Sequence, residues 1–407
     1  MRRAACLLLL PFAMLSDAAS LLPGADQVAP AQLQAMLQHA VEQGSPGLSA
    51  AIANCRGVIW TGVAGMADIG KLRPVDEASL FGIGSITKVF LAVAVLQLVE
   101  ERRLDLRSTP QGVLGAGEVR HIANASSATV ADLLGHRGGV PSWEDDTRWI
   151  RRGRGADIDA AHIWGKAEAL GYIRGAPATG PAGSNFAYSN SGYTLLGLMV
   201  EKITGRTAEA EIRRRVLVPL GLGDTYMEGF EPGQDARVPR RYQFMTEKFS
   251  RDAGIAAVFS EIRPGLLDTG NTNLSDEWAA GGIISSPREL VLFARALRDG
   301  RLLKPESLAF MEQWSPAFGR MDHGHGLFRI RVGDLSLVGH TGGVLGFSAV
   351  LWWAADSDAI VAVLGNGSGM HAGATPPKAS NIGLDEKFVR LALQYSAQQG
   401  GCTGACR

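Results

Sequence analysis

Much of this chain's character lies in what it lacks. Of its 407 residues only four are cysteines, Cys6, Cys55, Cys402 and Cys406, and none stands in a C-x-x-C pair. H-E-x-x-H is absent too, and His323 and His325, two apart in a glycine-rich stretch, read as loop histidines. No metal and no other cofactor is therefore implied. Missing as well is G-x-S-x-G, which argues against the strained serine elbow of the α/β-hydrolases. Charge of one sign is not in excess, since 40 basic and 40 acidic residues cancel. That leaves no global attraction to nucleic acid or to an anionic membrane surface.

One apolar run stands out near the start. Residues 4–15 follow Met1-Arg2-Arg3 and precede the small residues Ser16-Asp17-Ala18-Ala19-Ser20. The run is short of the roughly 20 residues a membrane span needs. It reads as a secretory signal peptide over residues 1–20, so the mature chain is expected to be exported, periplasmic or secreted, with no integral membrane span. In an oxidising compartment Cys402 and Cys406 could close a small disulfide, while Cys55, at the end of an apolar strand pattern, reads as a free thiol.

With 46% hydrophobic and 20% charged residues, the composition is that of a globular chain long enough for two or three domains. Apolar residues at helical spacing predict helices over 30–43, 191–204, 287–298 and 384–398. Short β-rich runs separated by Gly and Asp turns predict strands over 48–53, 58–64, 326–332, 335–339, 347–354 and 359–364. Early and late strands would share one antiparallel sheet. The expected fold is α/β (α+β): an antiparallel sheet flanked by helices over 21–125 and 277–399, an inserted helical domain over 126–276, and a loose tail over 400–407. Residues 229–276 carry no clear element pattern. Arg148, Arg151, Arg152 and Arg154 read as a solvated basic face.

A chemical signal begins at Ser85-Ile86-Thr87-Lys88, the single S-x-x-K of the chain, followed by an apolar run from Val89 to Leu96. Positions i and i+3 of a helix share a face, so hydroxyl and amine would meet on a helix buried on all sides. By itself such a pair reads first as a helix cap and an exposed first-turn lysine. Two further motifs change that reading. Tyr188-Ser189-Asn190 is the single Y-x-N, and His340-Thr341-Gly342 is the single Thr-Gly dipeptide behind a basic residue.

In order and context these motifs resemble the penicillin-recognising serine hydrolases, which include class C β-lactamases, D-alanyl-D-alanine peptidases and related esterases. The blocks Leu80 to Lys88, Asp132 to Pro141, Tyr188 to Tyr193, Pro219 to Leu222, Gly281 to Ser286 and Gly339 to Gly343 all look like family blocks in family order. The resemblance implies a β-lactamase/transpeptidase-like fold and an acyl-enzyme on Ser85. Lys88 would be its base and Tyr188 would share the proton traffic. Asn190 would hold the substrate amide, and the backbone N–H groups of Ser85 and Gly343 would hold the oxyanion. His340, Thr341 and Gly342 would line the substrate site. No E-x-x-L-N stretch occurs, which places the chain on the tyrosine-using side of the family. His340 stands where most of the β-lactamases carry lysine, and a histidine of ordinary pKa is only partly charged at neutral pH. Cleavage of D-alanyl cell-wall peptides is expected, with a β-lactam or an ester as the alternative substrate, and a non-catalytic peptidoglycan or β-lactam sensor as the alternative of another class.

Overall fold

The computed structural model describes residues 28–400. The signal-peptide reading, Cys402 and Cys406, and residues 401–407 of the tail lie outside the described residues. Helix α1 (Pro30–Glu42) opens on a proline suited to the first helical turn and buries Leu33, Leu37 and Ala40. Strands β1 (Gly47–Asn54) and β2 (Gly57–Asp68) follow as a hairpin. All eight residues of β1 are buried. Leu48, Ala50 and Ile52 pack under α1 on one face, while Ala51 and Ala53 join the larger core on the other. That alternation follows from the two-residue repeat of a strand.

Helix α2 (Thr87–Glu100) is the centre of the larger core, with every residue from Thr87 to Leu96 buried. Its Phe90 stacks on Phe293 at 3.7 Å between ring centres. A helix apolar on all sides has no face to offer water, and here each side has a partner. Helix α3 (Asn190–Thr204) flanks it, with Ser189 as N-cap and Gly205 in the left-handed conformation that ends it. Helix α4 (Pro287–Arg298), which carries Phe293, covers the inner face of the sheet.

Among the described residues the main sheet has nine strands. Strand β3 (Arg73–Pro74) is one edge, and the last third supplies β4 (Ser315–Phe318), β5 (Met321–His323), β6 (Phe328–Val332), β7 (Leu335–Val344), β8 (Phe347–Ala354) and β9 (Ile360–Gly365). The spatial order is β4-β5-β6-β7-β8-β9-β1-β2-β3, and every pairing within it is antiparallel. Helix α5 (Glu386–Gln398) closes the outer face beside α1 through Phe388 and Ala392.

Three differences from the sequence reading bear on the site. Strand β7 does not stop at Gly339 but runs on through His340 to Val344, paired residue by residue with Phe347–Ala354. Glycines 342 and 343 weaken a strand pattern in sequence, yet tertiary pairing keeps them extended. The hairpin of β4 and β5 puts His323 at the end of a strand rather than in a loop. Between 229 and 276 the structure places Tyr242–Phe244, Ser260–Arg263 and Leu266–Asp268, which join Gly367–Ser368 in a small second sheet. Strands of three or four residues are too short to show periodicity, so the middle of the chain is mainly rather than wholly helical.

Candidate active site

Ser85 lies in a 3₁₀ turn (Gly84–Ile86) that leads directly into α2. Its hydroxyl caps neither element. Instead Oγ stands 2.9 Å from Lys88 Nζ and 2.8 Å from the Tyr188 hydroxyl. Ser85 is half-buried, and Lys88 is fully buried one helical turn further on. The Lys88 amine also donates to the Ala280 carbonyl at 2.7 Å. The stretch that provides this carbonyl is tied down nearby, with Ile283 N–H donating to Thr87 Oγ1 at 3.2 Å and Ile83 N–H to the Ile283 carbonyl at 2.9 Å.

Burial brings the Lys88 pKa down to about 7, against the opposing pull of the Glu144 carboxylate, which raises it. Near pH 7 a large fraction of this amine is therefore neutral, and a neutral amine can accept the Ser85 Oγ proton. Burial pushes the Tyr188 phenol well above the ordinary tyrosine range, only partly offset by its hydrogen bond to Ser85. At neutral pH Tyr188 is a donor. One neighbour of Ser85 can take a proton and the other can give one.

Behind Gly84 the chain meets strand β7. Gly84 has φ +52°, and a Cβ placed there would stand 2.6 Å from Gly343 N. At Gly342 a Cβ would stand only 1.9 Å from the Ile83 carbonyl oxygen. Glycine at these two positions is what lets the Ser85 turn and the strand abut, so that the Ser85 and Gly343 backbones share one wall. Thr341, Gly342 and Gly343 are half-exposed along it. The Met370 side chain lies over Gly343, 2.8 Å from where a Cβ would be.

His340 behaves differently from the sequence expectation. It is 2% exposed, its Nδ1 lies 2.6 Å from the Thr341 carbonyl, and its Nε2 has no partner among the described residues. Burial, helped by the nearby Lys88 charge, lowers its pKa to about 3. The ring is thus neutral at physiological pH, with the proton on Nδ1 fixed by the carbonyl and a lone pair on Nε2. The expectation of a partly charged His340 is corrected: desolvation outweighs any benefit of protonation.

Asn190, 2% exposed, is the first residue of α3. Its Nδ2 donates to Glu144 Oε2, and its Oδ1 has no partner among the described residues. The bond to Glu144 uses the amide's Nδ2 end, so the buried Oδ1 is the end left as a free acceptor. Glu144 sits in the turn Trp143–Asp145, clamped to α3 by Trp143 N–H to Ser191 Oγ at 3.0 Å, Trp143 Nε1–H to Thr194 Oγ1 at 3.1 Å, and Asn190 N–H to Ser142 Oγ at 3.1 Å. Sequence reasoning passed over Glu144 and the Ala280 carbonyl. A carboxylate in Trp-Glu-Asp-Asp and a backbone oxygen 192 residues from Lys88 carry no local signal.

Two readings from the sequence change here. Arg154 is not on a solvated face: it is fully buried, 3.0 Å from Asp276 Oδ2, paired with Glu277 and 4.8 Å from the Trp149 ring centre. Arg148 and Arg151 do face water, in pairs with Asp146 and Asp157. Cys55 is disulfide-bonded rather than free. Among those residues, no helix is long and apolar enough to cross a membrane.

Comparison with known proteins places this arrangement among relatives. The family model described as Beta-lactamase matches residues 33–380. D-amino acid amidase from Ochrobactrum anthropi SV3, solved with L-phenylalanine amide, has a TM-score of 0.77 at 25% identity, covering 91% of this chain and 99% of that one. A D-stereospecific amidohydrolase from Streptomyces sp. has a TM-score of 0.70 at 28% identity, covering 84% and 95%. Penicillin-binding protein 4 of Amycolatopsis lactamdurans is 31% identical over 159 residues, 39% of each chain. An unguisins hydrolase of Aspergillus violaceofuscus is 27% identical over 187 residues, 45% of this chain and 31% of that protein. The matches thus span well under half the length of these curated relatives.

Proposed function

Because this chain belongs to the beta-lactamase family and is a serine hydrolase, we propose that it cleaves amides or esters whose acyl part carries an amine close to the scissile carbonyl. The observation that supports this reading is the set of acceptors near Ser85 and Lys88: the Glu144 carboxyl, whose pKa burial raises, the Asn190 Oδ1, and the Nε2 lone pair of neutral His340, the last two buried without a partner among the described residues. All three accept hydrogen bonds. Such a lining suits an ammonium or N–H donor, and His340 offers no charge to a substrate carboxylate.

In the proposed reaction neutral Lys88 takes the Oγ proton as Ser85 attacks the carbonyl carbon. The oxyanion is held by the backbone N–H groups of Ser85 and Gly343. The Tyr188 phenol gives its proton to the leaving nitrogen or oxygen and regains one from the Lys88 ammonium. The C–N or C–O bond breaks and an ester on Ser85 remains. Water then attacks that ester, its proton passing to Tyr188 and Lys88 in reverse, and free acid and free Ser85 are restored. The likeness to a D-amino acid amidase and a D-stereospecific amidohydrolase supports a D-configured acyl residue. An exported location, proposed from residues 1–20, is tested by fractionating cells that express the full chain.

A substrate series tests the reading. D-phenylalanine amide is compared with its L-enantiomer, with 3-phenylpropanamide, which lacks the amine, and with an acyl-D-alanyl-D-alanine. Losing a hydrogen bond to a charged partner costs about 1.5–3 kcal/mol, so kcat/KM should fall about tenfold to a hundredfold when the amine is removed. The D-amide should also be preferred over the dipeptide with its terminal carboxylate. Equal rates with and without the amine, or a preference for the carboxylate substrate, would overturn the proposal. The latter result would favour the D-alanyl peptidase reading.

A further inference from the structure

His136 has no role in the chemistry above, yet it touches the Tyr188 segment at three points. Its ring stacks on the Tyr188 ring, 4.2 Å between centres and 26° between planes. Its Nδ1 accepts the Ser189 N–H at 3.1 Å, and its backbone carbonyl accepts the Ala187 N–H at 2.8 Å. The residues on either side of Tyr188 are thus hydrogen-bonded to His136, while the tyrosine ring lies on the imidazole. His136 itself is 4% exposed and holds φ +52°, a conformation that few side chains other than Asn, Asp and His adopt readily. The strain is sustained by the surrounding packing, which includes Tyr193 at 5.1 Å and Phe328 at 6.4 Å between ring centres.

The ring's charge state follows from its surroundings. Burial and the neighbouring Lys88, His340 and His323 all disfavour a proton, so its pKa lies well below the ordinary histidine value. A neutral ring that accepts at Nδ1 carries its hydrogen on Nε2. Were it charged, Nδ1 could not accept from Ser189.

We propose that His136 is a positioning residue for Tyr188. Its Nδ1 acceptor and its flat ring hold the phenol at hydrogen-bond distance from Ser85 Oγ. Tyr188 lies outside any helix or strand, so a small rotation there would carry the hydroxyl away from Oγ. Misplacement of a catalytic group by about 1 Å can cost on the order of a hundredfold in rate.

The test separates the two contacts with an activated ester that has no amine, so its outcome does not depend on the substrate reading above. Three variants are made: His136→Asn, which keeps an acceptor near the Nδ1 position and tolerates positive φ; His136→Phe, which keeps the stack; and His136→Ala, which keeps neither. In folded protein, verified by circular dichroism and thermal melting, His136→Ala should lower kcat about tenfold to a hundredfold, with KM changed less than about threefold. His136→Asn should recover most of that loss, and His136→Phe only part of it. A kcat for folded His136→Ala within about twofold of wild type would overturn the proposal, as would losses that simply follow the unfolded fraction across all three variants. The double variant His136→Ala/Tyr188→Phe gives an independent check: if His136 acts through Tyr188, it should be no slower than Tyr188→Phe alone, whereas multiplied losses would place His136 elsewhere in the reaction.

Discussion

At the scale of single residues, the reactive pair is governed by a contest between burial and charge. Burial takes the Lys88 amine down to about 7, and the Glu144 carboxylate pulls it back up. Lys88 acts as a base only when it has lost its proton, so kcat/KM with an uncharged ester should rise as pH climbs through about 7 and then level off. Glu144→Gln removes the charge that stabilises the ammonium. Burial then acts unopposed, and the rising limb should move to lower pH, while KM for an amine-bearing amide increases about tenfold to a hundredfold. A limb that stays in place or moves to higher pH would sink this account, and a pH series on both substrates reads it directly. The pairing of Ser85 with Lys88 could be read from a spacing of three residues. Glu144 could not, because its distance from Lys88 is set by how the turn Trp143–Asp145 is clamped to α3.

At the scale of elements, the site is a junction of three backbones: the turn before α2, the segment before α3, and strand β7. The first was legible because an apolar run without a polar stripe has to be buried, and the sequence from Val89 to Leu96 has no such stripe. The continuation of β7 through His340-Thr341-Gly342 was not, since glycines lower the strand signal and only pairing with β8 keeps them extended. The contact between the turn and the strand depends on Gly84. In Gly84→Ala the added methyl would meet Gly343 N at 2.6 Å, in a left-handed conformation that alanine resists. The strand must give way, and with it the Gly343 N–H proposed as an oxyanion donor. Loss of such a donor costs about a hundredfold to a thousandfold, so kcat should fall by that order with the Ser85–Lys88 pair intact. Retention of more than a tenth of wild-type kcat in steady-state assays would show that Gly343 does not hold the oxyanion.

At the scale of the whole molecule, the two ends of the middle of the chain are tied to one another by buried charge as well as by apolar packing. Arg154, on the helix Thr147–Arg154, reaches Asp276 and Glu277 at the end of that stretch, with the Trp149 ring against its guanidinium. Removing one partner of a buried ion pair leaves charge without compensation. Arg154→Met should therefore destabilise the fold by about 3–5 kcal/mol, read as a lowered urea midpoint with the slope unchanged; a change below about 1 kcal/mol would mean that the two carboxylates find other partners. The amino-acid sequence by itself determined the family blocks, the buried α2 helix, the antiparallel pairing of early and late strands, and the Ser85, Lys88 and Tyr188 candidates, because each rests on local periodicity or on a short motif. Tertiary structure alone decided the rest. It made His340 neutral, left the buried Asn190 Oδ1 without a partner among the described residues, brought Glu144 within electrostatic reach of Lys88, and set His136 against Tyr188. Those are matters of burial and of contact between residues dozens of positions apart, which no local pattern encodes.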